Sequence, residues 1–367
     1  MKLLFITYQD ISISSRKKRL IDVFSELGEM EIIGLRNSSA RNIKLKGDNK
    51  KLPKSLFLVY LVSTLKILKS KPDVIILCDN YLSFMIKLSK SISSKSFIVY
   101  DSSEFYVETH KRINFVNIKS NLLIKSEKKF INGADFISCA NEERSKLMKT
   151  YYDLPKAPEV FENIFKLNIN DSEMKSNDFI KFKDCKKFKF VYPSGLNNFD
   201  FLFEMSSISK DLEEEMILII CGYSSKKNKE KLNKFLELKK INNVKYIGML
   251  SHNQYGEILK NSQVIISKYP MDTLNNINCA SGKIYEAIFM DLPILASINP
   301  PMKRIIEQNN IGVSTENFKH GAIRLINEYD YFKKNVMEFK EKINLDSIKS
   351  NFSQEFKKYY LQKENKN

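Results

Sequence analysis

The sequence has few of the residues that hold metals or build redox centres. Its 367 residues include five cysteines and three histidines. The cysteines, at positions 78, 139, 185, 221 and 279, form no C-x-x-C pair, and the histidines are scattered. These spacings give no support to a zinc site or a dithiol redox centre. Three of the cysteines each end an apolar run, which is typical of small buried residues in a reducing compartment.

Long apolar runs are also missing. Met1–Ile6 is a short apolar strand that lacks the longer apolar core and cleavage site of a signal peptide. The longest apolar stretch, Leu56–Leu68, is interrupted by Ser63, Thr64 and Lys66 and is too short to cross a bilayer. We therefore expect a cytoplasmic protein, with any membrane contact being peripheral, on the cytoplasmic face of the inner membrane.

Acidic residues are outnumbered by basic ones. Lys and Arg number 60 and Asp and Glu 43, which gives a formal net charge of +17. Such a surplus favours anionic partners, namely nucleic acid, acidic lipid or phosphorylated substrates, without choosing among them. The basic residues are spread along the whole chain, with no aromatic-interleaved platform and no recognised nucleic-acid motif. We therefore expect no nucleic-acid partner.

What the sequence does contain is two series of short apolar runs separated by segments of helical period. The first series is Lys2–Thr7, Glu31–Leu35, Asp73–Cys78, Ser96–Tyr100, Asp135–Cys139 and Glu159–Phe161, and the second is Lys189–Tyr192, Met216–Cys221, Val244–Ile247, Gln263–Ser267, Pro293–Ala296 and Gly312–Ser314. Continuous apolar strands that alternate with helices indicate parallel sheets covered on both faces. A chain of this length usually holds two domains. The pattern predicts two doubly wound, Rossmann-like α/β domains.

The predicted boundaries follow from charge and period. Residues 166–187 are polar and highly charged without a sustained period, so we interpret them as a linker. This interpretation gives an N-terminal domain over 1–165 and a second domain over 188–330. Residues 331–367 are almost wholly helical, and their apolar side chains are spaced roughly as one stripe.

The segment with the most chemical information lies between residues 244 and 315. Small residues at 280–282 are followed by a helix with Lys283 in its first turn and Glu286 three residues later. Small residues let a ligand approach the backbone closely, and the helix start offers unpaired N–H groups. A cation there opposes the helix macrodipole. The arrangement makes sense if an anion lies between these two sources of positive charge.

Lys283 and Glu286 lie about 60° apart around the helix, so both can face one ligand. The pair suits a sugar nucleotide, because its diphosphate needs donors and positive charge while its ribose diol needs an acceptor. An i, i+3 salt bridge on a solvated helix of a lysine-rich protein is the alternative that the local pattern leaves open.

The order of these motifs resembles the nucleotide-binding half of the GT-B glycosyltransferases, particularly the large family 4 group. The similarity runs through Lys-Ile-Tyr-Glu at 283–286, Leu-Pro-Ile-Leu-Ala-Ser at 292–297 and Ile-Gly-Val at 311–313. It implies two domains facing across a cleft, with a C-terminal helix that crosses back onto the first domain. It also implies that Glu286 binds the donor ribose and that the region Ser281-Gly282-Lys283-Ile284 surrounds the diphosphate.

The sequence departs from the family pattern at several positions. Asn278 replaces an earlier Glu that contacts the donor sugar, and an amide can still hydrogen-bond hydroxyl groups. Asp291 replaces the usual Gly before the Leu-Pro strand, at a turn that Asp tolerates better than most residues. The family's Arg and Lys after the first strand of the second domain are missing from Tyr192–Asn198. Lys283 is therefore the main candidate charge for the diphosphate.

Two glycines follow apolar strands of the second domain. Gly195 and Gly222 free the chain to turn and keep the crevice open at the carboxyl ends of the strands. We place both in the donor site together with Asn197, which lies in the loop that Gly195 opens. An ordinary strand-ending turn, which needs no ligand, is the alternative for each glycine.

In the first domain, the candidate residues follow two other strands. The loop after Ser96–Tyr100 is similar to an acidic loop that relatives place at the interdomain cleft, and its Asp101 and Glu104 are candidates to position an acceptor hydroxyl or take its proton. A carboxylate that caps the next helix is the alternative. Ser14, Ser15 and Arg16 occupy the first strand–helix turn, where relatives approach the phosphates or the acceptor, although these basic residues also fit a solvated face.

Two segments combine apolar and basic residues. Leu56–Lys71 carries Lys66, Lys69 and Lys71, and 111–129 mixes apolar and basic residues in the same way. Either is compatible with an interfacial helix attracted to anionic lipid. For Leu56–Lys71, an ordinary amphipathic helix on the sheet is the more common case. We therefore take 111–129, beside the acidic loop, as the better membrane or acceptor candidate.

The resemblance implies a glycosyltransferase that moves a sugar from a nucleotide-sugar donor to a saccharide or lipid-linked acceptor, with retention of configuration. No Asp-x-Asp triplet is present, which fits a metal-independent site, so we expect no metal and no cofactor beyond the donor substrate. Retention requires no obvious nucleophile; if the enzyme inverts instead, Glu104 or Asp101 is the candidate base. The abundance of Lys, Asn and Ile is associated with AT-rich bacteria and hence with assembly of surface polysaccharide.

Two other functions stay open. A sugar-nucleotide epimerase of the same fold would need several acid–base groups around the hexose, and the sequence offers few. A non-enzymatic nucleic-acid binder agrees with the charge of +17 but with no motif.

Overall fold

The structure is a computed structural model that describes residues 1–11, 14–35, 49–52, 55–107, 115–164, 166–167, 185–279 and 281–365. It contains a seven-stranded and a six-stranded sheet. The strands are β1 Lys2–Thr7, β2 Glu29–Leu35, β3 Asn49–Leu52, β4 Val74–Cys78, β5 Phe97–Asp101, β6 Phe136–Cys139, β7 Glu159–Val160, β8 Phe188–Tyr192, β9 Met216–Cys221, β10 Val244–Gly248, β11 Val264–Ser267, β12 Ile294–Ala296 and β13 Gly312–Ser314.

Helices separate most of these strands. In chain order they are α1 Ser15–Ser25, α2 Leu56–Ser70, α3 Ser83–Ile92, α4 Phe115–Phe130, α5 Glu142–Tyr151, α6 Phe199–Asp211, α7 Lys226–Lys239, α8 His252–Lys260, α9 Leu274–Ile277, α10 Gly282–Phe289, α11 Pro300–Asn309, α12 Phe318–Asn327, α13 Tyr329–Lys342 and α14 Leu345–Glu364. Many start at a Ser, Thr or Asn whose side-chain oxygen accepts a first-turn N–H, as Ser251 does for α8 within a capping box.

The strand order confirms the predicted fold class. The first sheet runs β3-β2-β1-β4-β5-β6-β7 and the second β10-β9-β8-β11-β12-β13. All strand pairs that the structure describes are parallel. The order reverses between β1 and β4 and again between β8 and β11. In doubly wound sheets, ligands bind outside the carboxyl ends of the strands at such a reversal.

Each strand predicted from the sequence overlaps an observed strand, and one observed strand was not predicted. β3 reads Asn-Lys-Lys-Leu and pairs with β2 at the edge of the first sheet. Its composition is polar because an edge strand need not be buried on both faces. An apolar pattern therefore gives no signal for a strand at this position.

The chain divides into two units. One contains 1–163, 272–280 and 344–367, and the other contains 164–271 and 281–343. This division differs from the predicted ranges, and the end of the predicted first domain, 164–165, and the predicted linker fall in the second unit. Residues 272–280 belong to the first unit, and α13 belongs to the second, where Phe332 is buried in the core and Lys340 pairs with Asp291 at 2.9 Å. Of the predicted linker, 168–184 lies outside the described residues.

The first unit has a core on each face of its sheet. On one face, side chains of β4 and β5 pack with Val59, Met85 and Met148 from α2, α3 and α5. On the other face, α1 and α14 cover the sheet, and Phe352 and Phe356 of α14 are buried among aromatic rings. Burying two such rings stabilises the docked helix by roughly 2–3 kcal/mol each.

The second unit is built in the same way around its six strands. One core receives side chains from four of the strands: Phe190 from β8, Leu218 from β9, Ile266 from β11 and Leu295 from β12. The helices α6, α7, α12 and α13 contribute to this core. The consequence for function is a parallel sheet with a buried core, whose carboxyl edge carries the loops that hold the predicted donor residues.

Candidate functional site

Three glycines with positive φ shape the carboxyl edge of the second unit's sheet. Gly195, Gly222 and Gly248 have φ of 67°, 124° and 81°. A Cβ at Gly195 would lie 2.2 Å from the Tyr223 carbonyl oxygen, and a Cβ at Gly222 would lie 2.7 Å from the Gly195 nitrogen. The loops after β8 and β9 therefore touch backbone to backbone. This contact requires glycine with or without a ligand, and Asn197 lies exposed in the first of these loops.

The first turn of α10 lacks a side-chain cap. Ser281 precedes the helix, but its hydroxyl makes no capping bond and instead lies 3.1 Å from the hydroxyl of Ser267 at the end of β11. Both serines are buried. The Ser281 side chain therefore caps none of the first-turn N–H groups, although the Ser281 carbonyl accepts the Ile284 N–H at 3.3 Å. The N–H groups of Gly282 and Lys283 are suited to an anion.

Glu286 is held in place by a tyrosine. The hydroxyl of Tyr255, on α8, donates a 2.7 Å hydrogen bond to Glu286 Oε2. Burial and the negative charge of Glu286 raise the pKa of Tyr255 well above its usual value, so the phenol stays protonated as the donor. The carboxylate is thereby oriented by the protein and keeps further lone pairs for a ligand.

Lys283 lies near the same strand ends, and no salt bridge joins it to Glu286 among the described residues. Burial raises the pKa of the Cys221 thiol to about 12, while Lys283 lowers it and Glu286 raises it. Cys221 is the last residue of β9, so both charged side chains act at the carboxyl edge of the sheet. The local i, i+3 salt bridge that the sequence left open is absent from this pair. Ile284, by contrast, is buried in the core.

A further polar group at this edge was not singled out from the sequence. Ser297 follows β12, donates to Asn299 Oδ1 at 2.5 Å and accepts the Tyr269 N–H at 3.1 Å. Ser297 and Asn299 are buried. A serine at the end of a buried apolar strand was the available signal, and the pairing with Asn299 needed the structure.

In the first unit, Asp101 and Arg16 form a buried pair at the end of β5. Arg16 donates from Nε at 3.0 Å and from Nη2 at 2.5 Å, and Ser138 and Ser103 donate at 2.8 and 3.1 Å. Burial alone would raise the pKa of Asp101, but Arg16 and Ser138 outweigh it and lower that pKa. All four carboxylate lone pairs are thereby engaged, which favours a structural carboxylate over a base.

Arg16 has further bonds that hold it away from a free ligand. Its Nη1 donates to the Phe161 carbonyl and, at 3.1 Å, to Asn163. The hydroxyl of Ser14 accepts the Lys17 N–H as the cap of α1, and Ser15 is the half-buried first residue of that helix. In the structure, these residues hold the start of α1.

Next to this pair lies a second buried ion pair that sequence reasoning missed. Lys17 is 1% exposed and donates to Asp79 Oδ1 at 2.8 Å and to Gln9 at 2.9 Å. Asp79 has φ of 79°, so the residue after β4 adopts a backbone conformation that is uncommon for a side chain other than glycine. The strained backbone of Asp79 lies where the strand order reverses, which is the place where doubly wound folds bind ligands.

Glu104 is held by Arg144 of α5. Arg144 is 2% exposed and donates to Glu104 Oε2 at 3.2 Å, to the Ser103 carbonyl at 2.6 Å and to Asn275 Oδ1 at 2.9 Å. Glu104 itself is 47% exposed and accepts from one side only. Of the two predicted catalytic carboxylates, it is the one that solvent or a ligand can reach.

Residues 272–280 join the first unit through asparagines. Asn275 Oδ1 also accepts the Phe105 N–H at 2.8 Å, and the Asn278 carbonyl accepts from Asn141 at 3.1 Å. The side-chain amide of Asn278 donates to the Leu274 carbonyl at 2.9 Å. The side-chain amide of Asn278 therefore helps to cap the C-terminus of α9. Its predicted contact with a donor sugar stays a prediction.

Behind this loop, α4 places a carboxyl group in the core. Glu127 is fully buried, and its Oε1 accepts from the Tyr100 hydroxyl at 2.6 Å and from Ser102 at 3.3 Å. Burial raises the pKa of Glu127 to about 7, against the lowering effect of these hydrogen bonds. The carboxyl group titrates near neutral pH while it supports the acidic loop.

The structure also bears on metal ligands and on membrane spans. Across the described residues, no group of three or more His, Cys, Asp or Glu side chains is placed to hold a metal ion. In the same part of the chain, no helix combines the length and the apolar character needed to span a membrane.

Comparison with solved structures shows which fold this is. Sucrose-phosphate synthase from Thermosynechococcus elongatus matches with a TM-score of 0.74 at 10% identity, over 98% of this chain and 99% of that chain. Anabaena HepE in complex with UDP matches with a TM-score of 0.68 at 13% identity, over 98% of this chain and 100% of that chain. WaaG, a glycosyltransferase involved in lipopolysaccharide biosynthesis, matches with a TM-score of 0.66 at 12% identity, over 96% of this chain and 98% of that chain. No protein-family model and no curated protein sequence matches the chain.

These matches confirm the predicted fold. The chain has the GT-B fold of glycosyltransferases, with two Rossmann-like domains, and it matches these structures over nearly its whole length. At such low identity the likeness establishes the fold, and the activity has to be argued from the site.

Proposed function

We propose that the protein is a glycosyltransferase that takes a sugar from a nucleotide-sugar donor. One observation carries the proposal: the uncapped start of α10, with Lys283 beside it and Glu286 oriented by Tyr255, lies at the carboxyl edge of a doubly wound sheet. An anion at this helix start gains from the N–H groups, the macrodipole and the lysine. A diphosphate supplies that anion.

The division of labour follows from the charges. Lys283 and the α10 N–H groups neutralise the diphosphate, which is the leaving group of the transfer, so its departure is stabilised without a metal. Glu286 is the acceptor for the ribose hydroxyls, because a carboxylate fixed by one hydrogen bond still has free lone pairs. Tyr255 is a positioning residue. Structures of Anabaena HepE with UDP and with UDP-glucose make a uridine nucleotide the first donor to test.

The acceptor side is assigned to the first unit. Glu104 is the exposed carboxylate there, and Asp101 acts through Arg16 and the loop. We propose retention of configuration, as the family resemblance implies, and Asp101, one of the two candidate bases for inversion, is engaged by Arg16, Ser103 and Ser138. The proposed acceptor is a saccharide or lipid-linked saccharide of bacterial surface polysaccharide or glycolipid assembly, at the cytoplasmic face of the membrane.

The alternatives have less support from the structure. An epimerase needs acid–base groups of accessible pKa around the sugar, and the carboxyl groups of the first unit are mostly engaged in hydrogen bonds. A nucleic-acid binder would leave the oriented Glu286 without a role, because a carboxylate repels phosphate.

A thermal-shift panel of UDP-, GDP-, CMP- and dTDP-sugars tests the donor. The bound donor should raise the unfolding temperature in proportion to the logarithm of its concentration over Kd. The donor identified in this way is then incubated with acceptor candidates, and free nucleoside diphosphate is measured. Absence of any shift with the whole panel, together with salt-dependent retention on DNA, would overturn the proposal in favour of nucleic-acid binding.

A further inference from the structure

Helix α2 exposes a row of large apolar side chains. Its residues recur at helical spacing on the side opposite the core: Phe57, Leu61, Leu65 and Leu68, with exposures of 73%, 43%, 58% and 53%. The buried side of the same helix is formed by Val59, Ser63 and Ile67, each fully buried. A surface helix in a soluble environment normally shows polar residues to the solvent. In α2 the outward face is apolar as well as the buried one.

This exposure changes the interpretation of 56–71. An ordinary amphipathic helix was expected, but α2 has no acidic residue, and Lys66 lies at the flank, where it pairs with Glu31. In the other candidate segment, 111–129, the side chains are described only from residue 120. The support for an interfacial surface therefore centres on α2.

Neighbouring helices extend the surface. The ring of Tyr60 on α2 stacks on Phe84 of α3 at 6.2 Å, and Phe84 contacts Phe130 of α4 at 5.4 Å. Phe84 is 42% exposed, and Leu122 of α4 is 62% exposed. The apolar row thus belongs to a layer of three helices, which we call the α2–α4 face. Large exposed apolar patches mark interaction sites.

The α2–α4 face is strongly basic. Its exposed lysines lie on all three helices or at their ends: Lys69, Lys71, Lys87, Lys125, Lys128 and Lys129. The one acidic residue within these three helices is Glu127, which is fully buried. A hollow of about 350 Å³ in this layer is lined by Lys87, Lys90 and Lys129 beside the Phe130 ring. The face therefore carries exposed apolar side chains together with exposed lysines. This combination complements a surface with a negatively charged outer layer above an apolar interior.

We propose that the α2–α4 face binds the surface of an anionic lipid bilayer, with the apolar row of α2 inserted among the acyl chains. The lysines then lie at the level of the lipid phosphates, where each cation adds to the attraction. Two copies of this chain would bring the same positive face together, so charge complementarity favours lipid over self-association.

The placement deepens the proposed function, on which this one point rests. Parallel strands and their connecting helices run in opposite directions, so α2, α3 and α4 each start at the carboxyl edge of the first sheet. Phe57 and Phe84 therefore lie towards the edge that carries the Asp101–Val107 loop. A bilayer on this face presents lipid-linked acceptors to the side of the protein that carries Glu104.

Co-sedimentation of the full chain with vesicles tests the surface. Vesicles of equal parts phosphatidylcholine and phosphatidylglycerol should bind the protein, and pure phosphatidylcholine vesicles should bind it much more weakly. The double variant Leu61→Asn/Leu65→Asn should bind the anionic vesicles roughly tenfold or more weakly, since two inserted apolar side chains are lost. The matched control is Leu238→Asn, an exposed leucine of the second unit that is 75% exposed, and it should bind like the unaltered chain.

Each other outcome counts against the surface. Lack of binding to anionic vesicles, or equal binding by the double variant, overturns the proposal. So does an unaltered chain that is dimeric in solution and becomes monomeric in the double variant without any vesicle binding, because the occupant is then a second copy. Circular dichroism and the thermal shift with UDP-glucose are measured on the same variants. Vesicle binding needs no nucleotide, so loss of the donor shift alone refutes only the proposed function.

Discussion

At the scale of single residues, the charged side chains of this protein fall into two groups. Arg16, Lys17, Asp79 and Asp101 are buried and paired, so they hold loops in place. Lys283 and Glu286 do not pair with each other, and both lie near the end of strand β9. Buried pairs are expensive to break, whereas an unpaired charge near a helix start is available to a ligand.

Lys283→Gln should weaken donor binding. A charge-assisted hydrogen bond to phosphate contributes about 1.5–3 kcal/mol, so Kd for the donor should rise roughly tenfold to a hundredfold. Titration calorimetry with the donor identified in the panel measures this. Lys234→Gln, on the exposed surface of α7, removes the same charge elsewhere and should leave Kd unchanged. Equal Kd for both variants would show that the diphosphate lies elsewhere.

Arg16→Met should destabilise the fold, because it leaves Asp101 buried without its ion pair. Breaking such a pair from one side costs about 3–5 kcal/mol, and urea unfolding measures it. Lys18→Met, two residues further along α1, is the control and should change stability by much less. If Arg16→Met removes activity at full stability, Arg16 binds a substrate and the structural interpretation is wrong.

Glu127 should make stability depend on pH. Its pKa in the folded chain is about 7 against an ordinary value of 4.5, because burial disfavours the charged form. Its stabilising contribution is complete below pH 4.5 and is lost as pH rises through about 7, by at most about 1.4 kcal/mol per pH unit. Glu127→Gln should flatten the free energy of unfolding across this window. A slope that persists in the variant would assign the effect to another group.

At the scale of elements, α14 shows how a distant segment completes a sheet. Its stripe was visible in the sequence as apolar residues at helical spacing, and the structure places it against α1 and the first sheet. α13 carries a similar pattern but packs in the second unit. Periodicity identifies an apolar face, and only the complementary surface decides where that face is buried.

Phe356→Ala should cost about 3–5 kcal/mol of stability, because the ring leaves a cavity among Phe24, Phe97 and Phe136. Chemical denaturation followed by circular dichroism measures the loss. Leu361→Ala on the same helix removes an exposed side chain and should cost less than about 1 kcal/mol. Similar costs for both variants would mean that α14 is not docked through this face.

Helix α2 shows the limit of sequence patterns at this scale. Its composition was visible, but apolar residues on nearly every side of a helix predict burial on both sides as readily as an exposed apolar face. The structure separates Val59, Ser63 and Ile67 from Phe57, Leu61 and Leu65 by packing one side on the sheet. The candidate lipid surface therefore followed from the packing.

At the scale of the whole molecule, the net charge of +17 has a measurable consequence. Binding to anionic vesicles should weaken as ionic strength rises, because salt screens the attraction between exposed lysines and lipid phosphates. Some binding should persist at high salt through the apolar row of α2. Co-sedimentation at increasing salt measures this. In Leu61→Asn/Leu65→Asn, salt should abolish the residual binding, and a salt-independent interaction in that variant would contradict insertion through α2.

Sequence alone predicted the two-domain α/β fold and each central strand, and it singled out 281–286 as a donor motif, which stays a prediction. Strands buried on both faces must be continuously apolar, and a helix start with small residues and an isolated lysine is suited to an anion. Edge strand β3 was missed because it is polar, and Lys17 and Asp79 were missed because the two partners lie 62 residues apart.

The sequence by itself thus determined the class of fold and where the chain turns at the carboxyl ends of its strands, since both depend on local pattern. Tertiary structure decided which charges are paired: it gave Arg16 to Asp101 and Tyr255 to Glu286, and it left the leucines of α2 exposed. Pairing and exposure depend on segments that are distant in the chain, and no local pattern records which distant segment will be adjacent.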